Sequence, residues 1–353
     1  MAENLSPDVT LWPDVLGRLL RRDDLPAALA EQALAAILAG EATDAQIAGF
    51  AVGLRAKGET PEELAALVRT MLRFADRVEV SGDAPLVDTC GTGGDRSGTV
   101  NVSTMAALIV AGAGAKVAKH GNRAASSQCG SADVLEALGV VIDLDPVGVA
   151  RCIDEAGIGF CFAQRFHSAL RFAAAVRKEL GVPTTFNFLG PLANPAGATR
   201  RTVGVSDPAM AERLVGALAD LGAEHALVFY GHDGLDELTT TTTSTVFELR
   251  AGDVTKYEVD PVALGLATAE PGALAGGDAS GNAQVVHHVL AGQHGPVREI
   301  AALNAAAALV VAGLADDLGA GIEQAFASID DGRAAAALEA FVRTSVAARE
   351  AGS

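Results

Sequence analysis

The segment DTCGTGGDRSGTVNVST, residues 88–104, combines several glycines with polar and charged side chains. The glycines are Gly91, Gly93, Gly94 and Gly98. Glycine loses the most conformational freedom on folding, so this cluster is typical of a backbone that must come close to a ligand. The segment follows a predicted strand and precedes a predicted helix, where free N–H groups and the helix dipole bind anions. It therefore predicts a phosphate-binding loop, with an ordinary tight turn as the alternative.

This glycine loop matches neither of two common phosphate-binding motifs. The string GTGGDR at residues 91–96 does not fit GxGxxG, and the loop has no GxxxxGK[ST]. A dinucleotide fingerprint and a P-loop are therefore both disfavoured.

A second polar segment, KHGNRAASSQCGSADVLEALG at residues 119–139, also follows a predicted strand. It brings together cations, an imidazole, an amide and hydroxyls, from Lys119, His120, Asn122, Arg123, Ser126 and Ser127. This mixture of donors suits a polyphosphate. A solvated polar loop is the alternative, but Gly121 and Gly130 add positions of close approach. We therefore expect a second part of the same anion site here.

Asp236 and Glu237 stand side by side after the predicted strand HALVFYG. Neighbouring carboxylates are commonly loop or helix-cap charges, which is the alternative here. Mg²⁺ usually takes one or two carboxylates and completes its shell with water and phosphate oxygens. Because parallel strands of one sheet end at the same edge, the pair is expected beside the glycine loop, where it predicts a magnesium site.

The elements that position these residues alternate between strands and helices from Leu86 onward. The predicted strands are LVDTC, AKVAKH, IGFCFAQ, RTVGVS and HALVFYG, with helical segments between them. TTTTTSTVFELRAGDVTKYEVDP predicts a hairpin or an antiparallel pair, and helical segments close the chain. The pattern predicts an α/β domain over residues 83–353, with a mostly parallel central sheet flanked by helices.

Helical segments without intervening strands precede that domain. We predict three of them, and capping-box signatures open the second and third at Thr43 and Thr60. They predict a small N-terminal helical domain over residues 1–82, with an added helical segment near residues 178–200.

Composition limits the possible partners. The chain has 353 residues and a net charge of -18, and its length suffices for two domains. The acidic balance argues against binding to nucleic acid and to anionic membrane surfaces. A phosphorylated ligand must therefore meet local cations or metal ions.

The cysteines and the N-terminal segment predict a soluble, cytoplasmic protein. Cys90, Cys129, Cys152 and Cys161 form no CxxC pair, so we expect reduced, packed thiols. MAENLSPDVTLWPDV is acidic and lacks the apolar run of a signal peptide. No uncharged apolar stretch has the length of a membrane span.

Five segments, in this order, resemble the anthranilate phosphoribosyltransferase family of the tryptophan pathway. They are DTCGTGGD, NVST, KHGNRAASSQCGSADVLEALG, GVPTTFNFLGPLANP and GLDE, between Asp88 and Glu237. The resemblance implies a helical domain that also mediates homodimerisation, and an active site in the cleft at its hinge with the α/β domain. It implies transfer of the 5-phosphoribosyl group from phosphoribosyl pyrophosphate to the amino group of anthranilate, the second step from chorismate to tryptophan.

The resemblance also implies three groups of site residues. Phosphoribosyl pyrophosphate is expected at Gly91, Gly94, Asp95, Thr99, Asn101, Val102, Ser103, Thr104, Lys119, His120, Gly121, Asn122, Arg123, Ala124, Ala125, Ser126, Ser127 and Ser131. Anthranilate is expected at Gly91, Asn122 and Arg177, and Mg²⁺ at Ser103, Asp236 and Glu237.

Two further expectations concern the helix that carries Arg177. On one helix, His167 would lie close to three turns before Arg177 and share its face, with a satisfied helix-start histidine as the alternative. Ser168 and Ala175 stand where many members of the family have prolines, which affects the pose of the acceptor.

The implied reaction needs no strong base, because an aryl amine is neutral at pH 7 and keeps its lone pair. Catalysis is expected from positioning and charge stabilisation. As the C1–O bond breaks, the ribose becomes positive and the pyrophosphate more negative. Mg²⁺, Lys119 and the amides of residues 91–95 are expected to hold that leaving group.

Two alternatives come from other functions. A pyrimidine nucleoside phosphorylase is similar in fold, but its loop typically reads KxSGR…TGGT, whereas this chain has KHGNRAASS and NVST. A module that only binds nucleic acid or protein would not need the acidic pair, and the net charge of -18 also disfavours nucleic acid.

Overall fold

The structure is a computed structural model that describes residues 10–124 and 128–351. Four helices come first: α1 (Leu11–Leu20), α2 (Ala27–Leu38), α3 (Asp44–Lys57) and α4 (Pro61–Arg73). Both predicted capping boxes are present, since Thr43 and Thr60 each accept the backbone N–H three residues on, and the side chain there returns the contact. The small helical region is therefore confirmed.

Helix α1 was not among the three predicted segments. Its sequence LWPDVLGRLL contains a proline and a glycine, which weaken the helical signal. The proline lies in the first turn, where its missing N–H costs nothing. Val15 and Leu19 are buried, so packing against the other helices stabilises α1.

A seven-stranded sheet forms the larger domain. Its strands are β1 (Leu86–Gly91), β2 (Lys116–Gly121), β3 (Ile158–Phe162), β4 (Arg200–Gly204), β5 (His225–Gly231), β6 (Ser244–Arg250) and β7 (Asp253–Val259). They lie in the order β3-β2-β1-β4-β5-β6-β7. The first five are parallel, and β6 and β7 form an antiparallel hairpin at one edge, so the predicted mostly parallel sheet is confirmed.

The sheet order changes direction at β1. From β1 the chain proceeds to β2 and β3 on one side, and it returns to place β4 and β5 on the other. Ligands of open α/β sheets bind beyond the carboxyl ends of the strands at such a switch point. The glycine loop, which leaves β1, therefore starts at the position where a site is expected.

Helices cover both faces of this sheet. The helices that follow β1 in the chain are α5 (Val102–Gly112), α6 (Ser131–Ala137), α7 (Pro146–Ala156), α8 (Ala163–Phe166), α9 (Arg171–Leu180), α10 (Phe186–Leu189), α11 (Pro208–Asp220), α12 (Ala279–Leu290), α13 (Pro296–Ala312), α14 (Leu318–Asp330) and α15 (Arg333–Ala351). Among them, α5, α7, α11 and α13 pack against the strands, whereas α9 packs against α2 and α3. No helix in the described ranges is long and apolar enough to cross a bilayer.

The buried apolar side chains form two clusters, and the helical region shares one of them with the sheet. Leu34 and Leu67 of the helical region belong to the same cluster as Leu214 of α11 and Val228 of β5. Phe186 of α10 belongs to this cluster too. The division at residues 82 and 83 remains a prediction, because this core crosses it.

Candidate active site

The glycine loop leaves β1 and reaches α5 through left-handed backbone. Gly93 has φ 64°, Gly94 has φ 83° and Gly98 has φ 64°, values that side-chain-bearing residues rarely adopt. Gly91 is needed for a different reason, because a Cβ there would lie 2.5 Å from Asp236 Oδ2. The glycines thus serve both an unusual conformation and a close approach.

The acidic pair after β5 reaches back to this loop. Asp236 Oδ2 accepts the Gly93 N–H at 2.7 Å, and Glu237 Oε1 accepts the Ser103 N–H at 3.2 Å. A Cβ at Gly204 would lie 1.7 Å from Asp236 O, so the end of β4 must be bare to admit the pair. The structure therefore brings both carboxylates to the loop and to the start of α5.

The surrounding protein disfavours the ionised forms of both carboxyl groups. Burial, followed by nearby Asp95, raises the pKa of Asp236 to about 7. Burial and then Asp236 raise the pKa of Glu237, and Lys119 only partly opposes this. A bound cation would keep both groups ionised.

These donors fit magnesium only in part. Within the described residues, no group of three or more His, Cys, Asp or Glu side chains has metal-binding geometry. That is compatible with Mg²⁺, whose remaining ligands are usually waters and substrate phosphates. Asp236, Glu237 and the Ser103 hydroxyl are oxygen donors at this position, and the Asp95 carboxylate lies close to Asp236.

Lys119 lies under the acidic pair. Its Nζ donates to Thr89 O at 2.6 Å and lies 3.4 Å from Ser103 Oγ. Burial lowers the pKa of Lys119, while Asp88 and Glu237 are among the charges that oppose the shift. Lys119 thus places its ammonium group beside the Ser103 hydroxyl.

Asn101 joins the two predicted substrate loops. It precedes α5, and its Nδ2 donates to Cys129 O at 3.1 Å. Its Oδ1 accepts a hydrogen bond from Asn282 Nδ2 on α12 at 2.9 Å. Val102 and Thr104 come next, and their side chains are buried. These two residues would therefore contact a ligand through their backbone groups.

The loop after β2 is held by its own glycines and polar groups. A Cβ at Gly121 would lie 2.2 Å from Ser131 Oγ, and one at Gly130 would lie 2.3 Å from Ala124 N. Ser131 Oγ donates to Asn122 O at 3.2 Å. Three predicted residues of this loop lie outside the described ones: Ala125, Ser126 and Ser127.

Arg123 is already paired with protein carboxylates. Its Nη1 lies 2.9 Å from Asp133 Oδ1 and 2.6 Å from Glu136 Oε2. These partners raise its pKa, Glu136 first. Arg123 must therefore exchange or share these partners to contact a phosphate.

His120 and His167 are neutral, buried imidazoles. His120 Nδ1 lies 3.0 Å from Gly190 O, and His167 Nε2 lies 2.9 Å from Ala193 O. The two ring centroids are 5.1 Å apart. Burial lowers the pKa of His120 to about 4 and that of His167 to about 3. The hydrogen bond to Ala193 O agrees with the alternative that His167 is a histidine whose ring is already hydrogen-bonded within the protein.

The expectation that His167 and Arg177 share one continuous helix is wrong. Helix α8 ends at Phe166, a 3-10 turn spans Ser168–Leu170, and α9 begins at Arg171. His167 itself has φ -113° and ψ 47°, which interrupts the helix so that its ring can reach Ala193 O.

Arg177 lies on the helical side of the site. Its guanidinium lies 5.5 Å from the centroid of the Phe186 ring, and burial lowers its pKa. No hydrogen bond joins it to Gly91 or Asn122 among the residues that the structure describes. Arg177 thus offers a positive charge beside an apolar ring. Among the described residues it has no carboxylate partner.

Sequence reasoning missed a buried polar network below the loops. Asp88 Oδ1 accepts the His120 N–H at 2.9 Å, and Asp88 Oδ2 accepts Asn194 Nδ2 at 2.8 Å. Arg201 is the largest of the charges that oppose the burial-raised pKa of Asp88. The only sequence signal was that Asp88 and Asn194 stand inside two of the quoted segments, DTCGTGGD and GVPTTFNFLGPLANP.

Comparison with known proteins identifies the family. Sequence profiles described as "Glycosyl transferase family, helical bundle domain" and "Glycosyl transferase family, a/b domain" match residues 13–75 and 83–335. The anthranilate phosphoribosyltransferase of Nocardioides sp. is 55% identical over 339 residues, which are 95% of this chain and 98% of that protein.

Solved structures agree with the sequence match. The crystal structure of anthranilate phosphoribosyltransferase from Thermus thermophilus has a TM-score of 0.89 and 41% identity, covering 94% of this chain and 99% of that one. The Saccharomyces cerevisiae enzyme in complex with phosphoribosyl pyrophosphate and magnesium has a TM-score of 0.88 and 27% identity, covering 97% and 99%. The chain therefore belongs to the anthranilate phosphoribosyltransferase family.

Proposed function

We propose that the protein transfers the 5-phosphoribosyl group of phosphoribosyl pyrophosphate to the amino group of anthranilate. The products are N-(5-phosphoribosyl)anthranilate and pyrophosphate. One structural observation carries the proposal: Asp236 and Glu237 close onto the glycine loop and the start of α5. Membership of the family supports the identity of both substrates.

The diphosphate of the donor would lie against the glycine loop. Left-handed Gly93 and Gly94 expose peptide groups there, and Lys119 brings a buried positive charge close to Ser103. Main-chain amides and a cation are the groups that bind phosphate oxygens in water-poor sites. The same groups would stabilise the negative charge that develops on pyrophosphate as it leaves.

Magnesium would be held by Asp236, Glu237 and the Ser103 hydroxyl. The buried, mutually repelling carboxylates favour a divalent cation over an empty site, and the yeast relative binds phosphoribosyl pyrophosphate together with magnesium. When bound, Mg²⁺ supplies positive charge to the oxygens of the leaving group. The net charge of -18 makes such local neutralisation necessary for an anionic substrate.

Anthranilate would bind between the loops and α9. Its carboxylate needs a cation, and Arg177 has no carboxylate partner within the described residues. Gly91 ends β1 and Asn122 follows β2, so both would lie beside the ribose of the bound donor. Since the aryl amine is neutral at pH 7, the protein has to orient its lone pair toward C1 rather than to deprotonate it.

A homodimer formed through the helical region is part of the proposal. Leu20 is 86% exposed and Val52 is 45% exposed, both on that region. Single exposed apolar side chains also occur on monomers, so the family resemblance is what supports the dimer. Light scattering after gel filtration measures this directly, and a monomer at micromolar concentration contradicts it.

A direct assay separates the proposed function from its alternatives. Purified protein with magnesium and both substrates is expected to produce the fluorescent phosphoribosylated product. Chelation of the metal is expected to abolish turnover. Phosphorolysis of thymidine or uridine, without product from anthranilate, would instead indicate a nucleoside phosphorylase. Saturable turnover excludes a module that only binds.

A further inference from the structure

Two hydroxyl groups hold the first half of the glycine loop from the side of β4. Ser206 Oγ donates to Gly93 O at 2.7 Å, and the Ser206 N–H donates to Thr92 Oγ1 at 3.0 Å. The Thr92 N–H in turn donates to Gly204 O at 2.9 Å. We refer to Thr92 and Ser206 together as the hydroxyl clip.

The clip fixes the orientation of one peptide group. In a trans peptide the carbonyl and the following N–H point in opposite directions, and the described peptides are all trans. Because the Gly93 carbonyl faces Ser206, the Gly94 N–H must point away from the clip. No acceptor for that N–H is found among residues 10–124 and 128–351, so it remains available to a ligand.

The peptide would be mobile without the clip. Gly93 and Gly94 flank it with φ 64° and 83°, and glycine tolerates many other conformations. The Gly93 N–H is held separately by Asp236 Oδ2 at 2.7 Å, so the clip is what holds the carbonyl side. Asp236 thus holds the Thr92–Gly93 peptide, and the clip holds the Gly93–Gly94 peptide that follows it.

The clip rests on a fixed support. The next residue, Asp207, caps α11 by accepting the Ala209 N–H at 3.1 Å, and it pairs with Arg55 of α3. Val205 binds the neighbouring strand through its N–H, which donates to Phe229 O at 2.8 Å. Ser206 is therefore bounded on both sides by anchored backbone.

We propose that Ser206 and Thr92 are positioning residues that aim the Gly94 N–H at the diphosphate of phosphoribosyl pyrophosphate. This rests on the proposed function, because the ligand named here is its donor substrate. Neither hydroxyl needs to touch the reacting atoms. The clip determines how well the loop holds the leaving pyrophosphate, and it leaves the anthranilate side unaffected.

The test compares Michaelis constants of single variants. Ser206→Ala and Thr92→Val are each expected to raise KM for phosphoribosyl pyrophosphate about tenfold, the scale of one well-placed hydrogen bond. KM for anthranilate is expected to stay unchanged. Thr92→Ser, which keeps the hydroxyl, is expected to retain the wild-type value. Inhibition by added pyrophosphate is expected to weaken by the same factor in Ser206→Ala.

A double variant and a surface control complete the test. Ser206→Ala combined with Thr92→Val is expected to raise KM for phosphoribosyl pyrophosphate little more than either change alone, because both substitutions break the same hydrogen-bonded unit. Ser280→Ala, at an exposed position of α12, is the matched control and is expected to behave as wild type.

Failure of this proposal is distinguishable from failure of the proposed function. Absence of turnover by the wild-type protein contradicts the proposed function, and with it the clip's ligand. Turnover by the wild type combined with an unchanged donor KM and pyrophosphate inhibition in Ser206→Ala overturns the clip alone. So does an equal rise of both Michaelis constants, since that indicates general disturbance of the fold.

Discussion

The unpaired nitrogen of His120 gives this residue a measurable effect on stability. Nδ1 lies 3.0 Å from Gly190 O, so it carries the proton, and the buried Nε2 has no partner among the described residues. Burial lowers the pKa of His120 to about 4. An unfolded chain takes up this proton near pH 6.5. The unfolded state therefore gains protons first as the pH falls.

We predict that His120 stabilises the fold less as the pH falls. Its contribution is complete above pH 6.5 and is lost between pH 6.5 and about 4, by about 3 kcal/mol in total. His120→Asn does not titrate and can still donate to Gly190 O. Denaturant unfolding of both proteins across this range measures the difference. A difference in unfolding free energy that is independent of pH would contradict the neutral imidazole.

Glu237 is predicted to act on metal binding rather than on folding. Glu237→Gln keeps an acceptor for the Ser103 N–H. It removes a buried carboxyl group whose pKa is raised. We expect about a tenfold higher magnesium requirement, as expected for one lost charged ligand, and lower turnover. Without metal, the variant should be at least as stable as wild type.

The control for Glu237 is a surface residue. Glu323→Gln makes the same change of charge on the exposed side of α14. It should leave the magnesium titration unchanged. Unchanged turnover of Glu237→Gln at saturating magnesium would refute the metal assignment.

Among the elements, α12 supports both substrate loops through one amide. Asn282 is buried and donates to Asn101 Oδ1 at 2.9 Å, while its own Oδ1 accepts the Gly277 N–H at 2.8 Å. The segment before α12 also pairs with the glycine loop, since Gly276 N donates to Gly98 O at 2.8 Å. A Cβ at Gly276 would lie 2.7 Å from Thr99 O.

Asn282→Ala is predicted to weaken the fold and the donor site together. It removes one donor to Asn101 Oδ1, which keeps only the weaker contact with Cys129 Sγ, and it leaves the Gly277 N–H without its acceptor. An unsatisfied buried polar group typically costs about 1–3 kcal/mol. Thermal unfolding and KM for phosphoribosyl pyrophosphate measure the two effects. Asn282→Asp keeps the acceptor for Gly277, so it should preserve more of the stability than the alanine variant does.

The elements show how far local sequence signals reach. The capping boxes at Thr43 and Thr60 are confirmed because each depends on residues three apart. The break at His167 was missed because it depends on Ala193, and the contacts of Ser206 and Asn282 were missed because their partners are over 100 residues away. The acidic pair was foreseen because parallel strands end at a common edge.

At the scale of the whole molecule, Glu59 connects three parts of the chain. Its buried carboxylate accepts Thr185 Oγ1 at 2.5 Å and Arg55 Nη1 at 3.2 Å. Arg55 also pairs with Asp207 at the start of α11. Glu59 therefore ties the helical region to the segment before α10 and, through Arg55, to the sheet domain.

Glu59→Gln is predicted to destabilise the protein by about 1–2 kcal/mol, because Arg55 and Arg213 are partly exposed and Arg55 keeps Asp207 as a partner. It removes the negative partner of Arg55 and of Arg213 while keeping the shape of the side chain. Chemical denaturation measures this loss. Glu62→Gln, an exposed change three residues away, should alter stability by less than about 0.5 kcal/mol.

The hydrophobic cluster that α4 shares with α11 restricts how substrates enter. Rigid-body movement of the helical region away from the sheet would expose Leu67 and Leu214 to water, and both are fully buried. We therefore expect substrates to enter through local motion of the exposed glycine loop after β1. Amide hydrogens of the glycine loop should exchange with solvent deuterium long before those of α4. Substrate binding should slow exchange in the glycine loop and leave exchange in α4 unchanged.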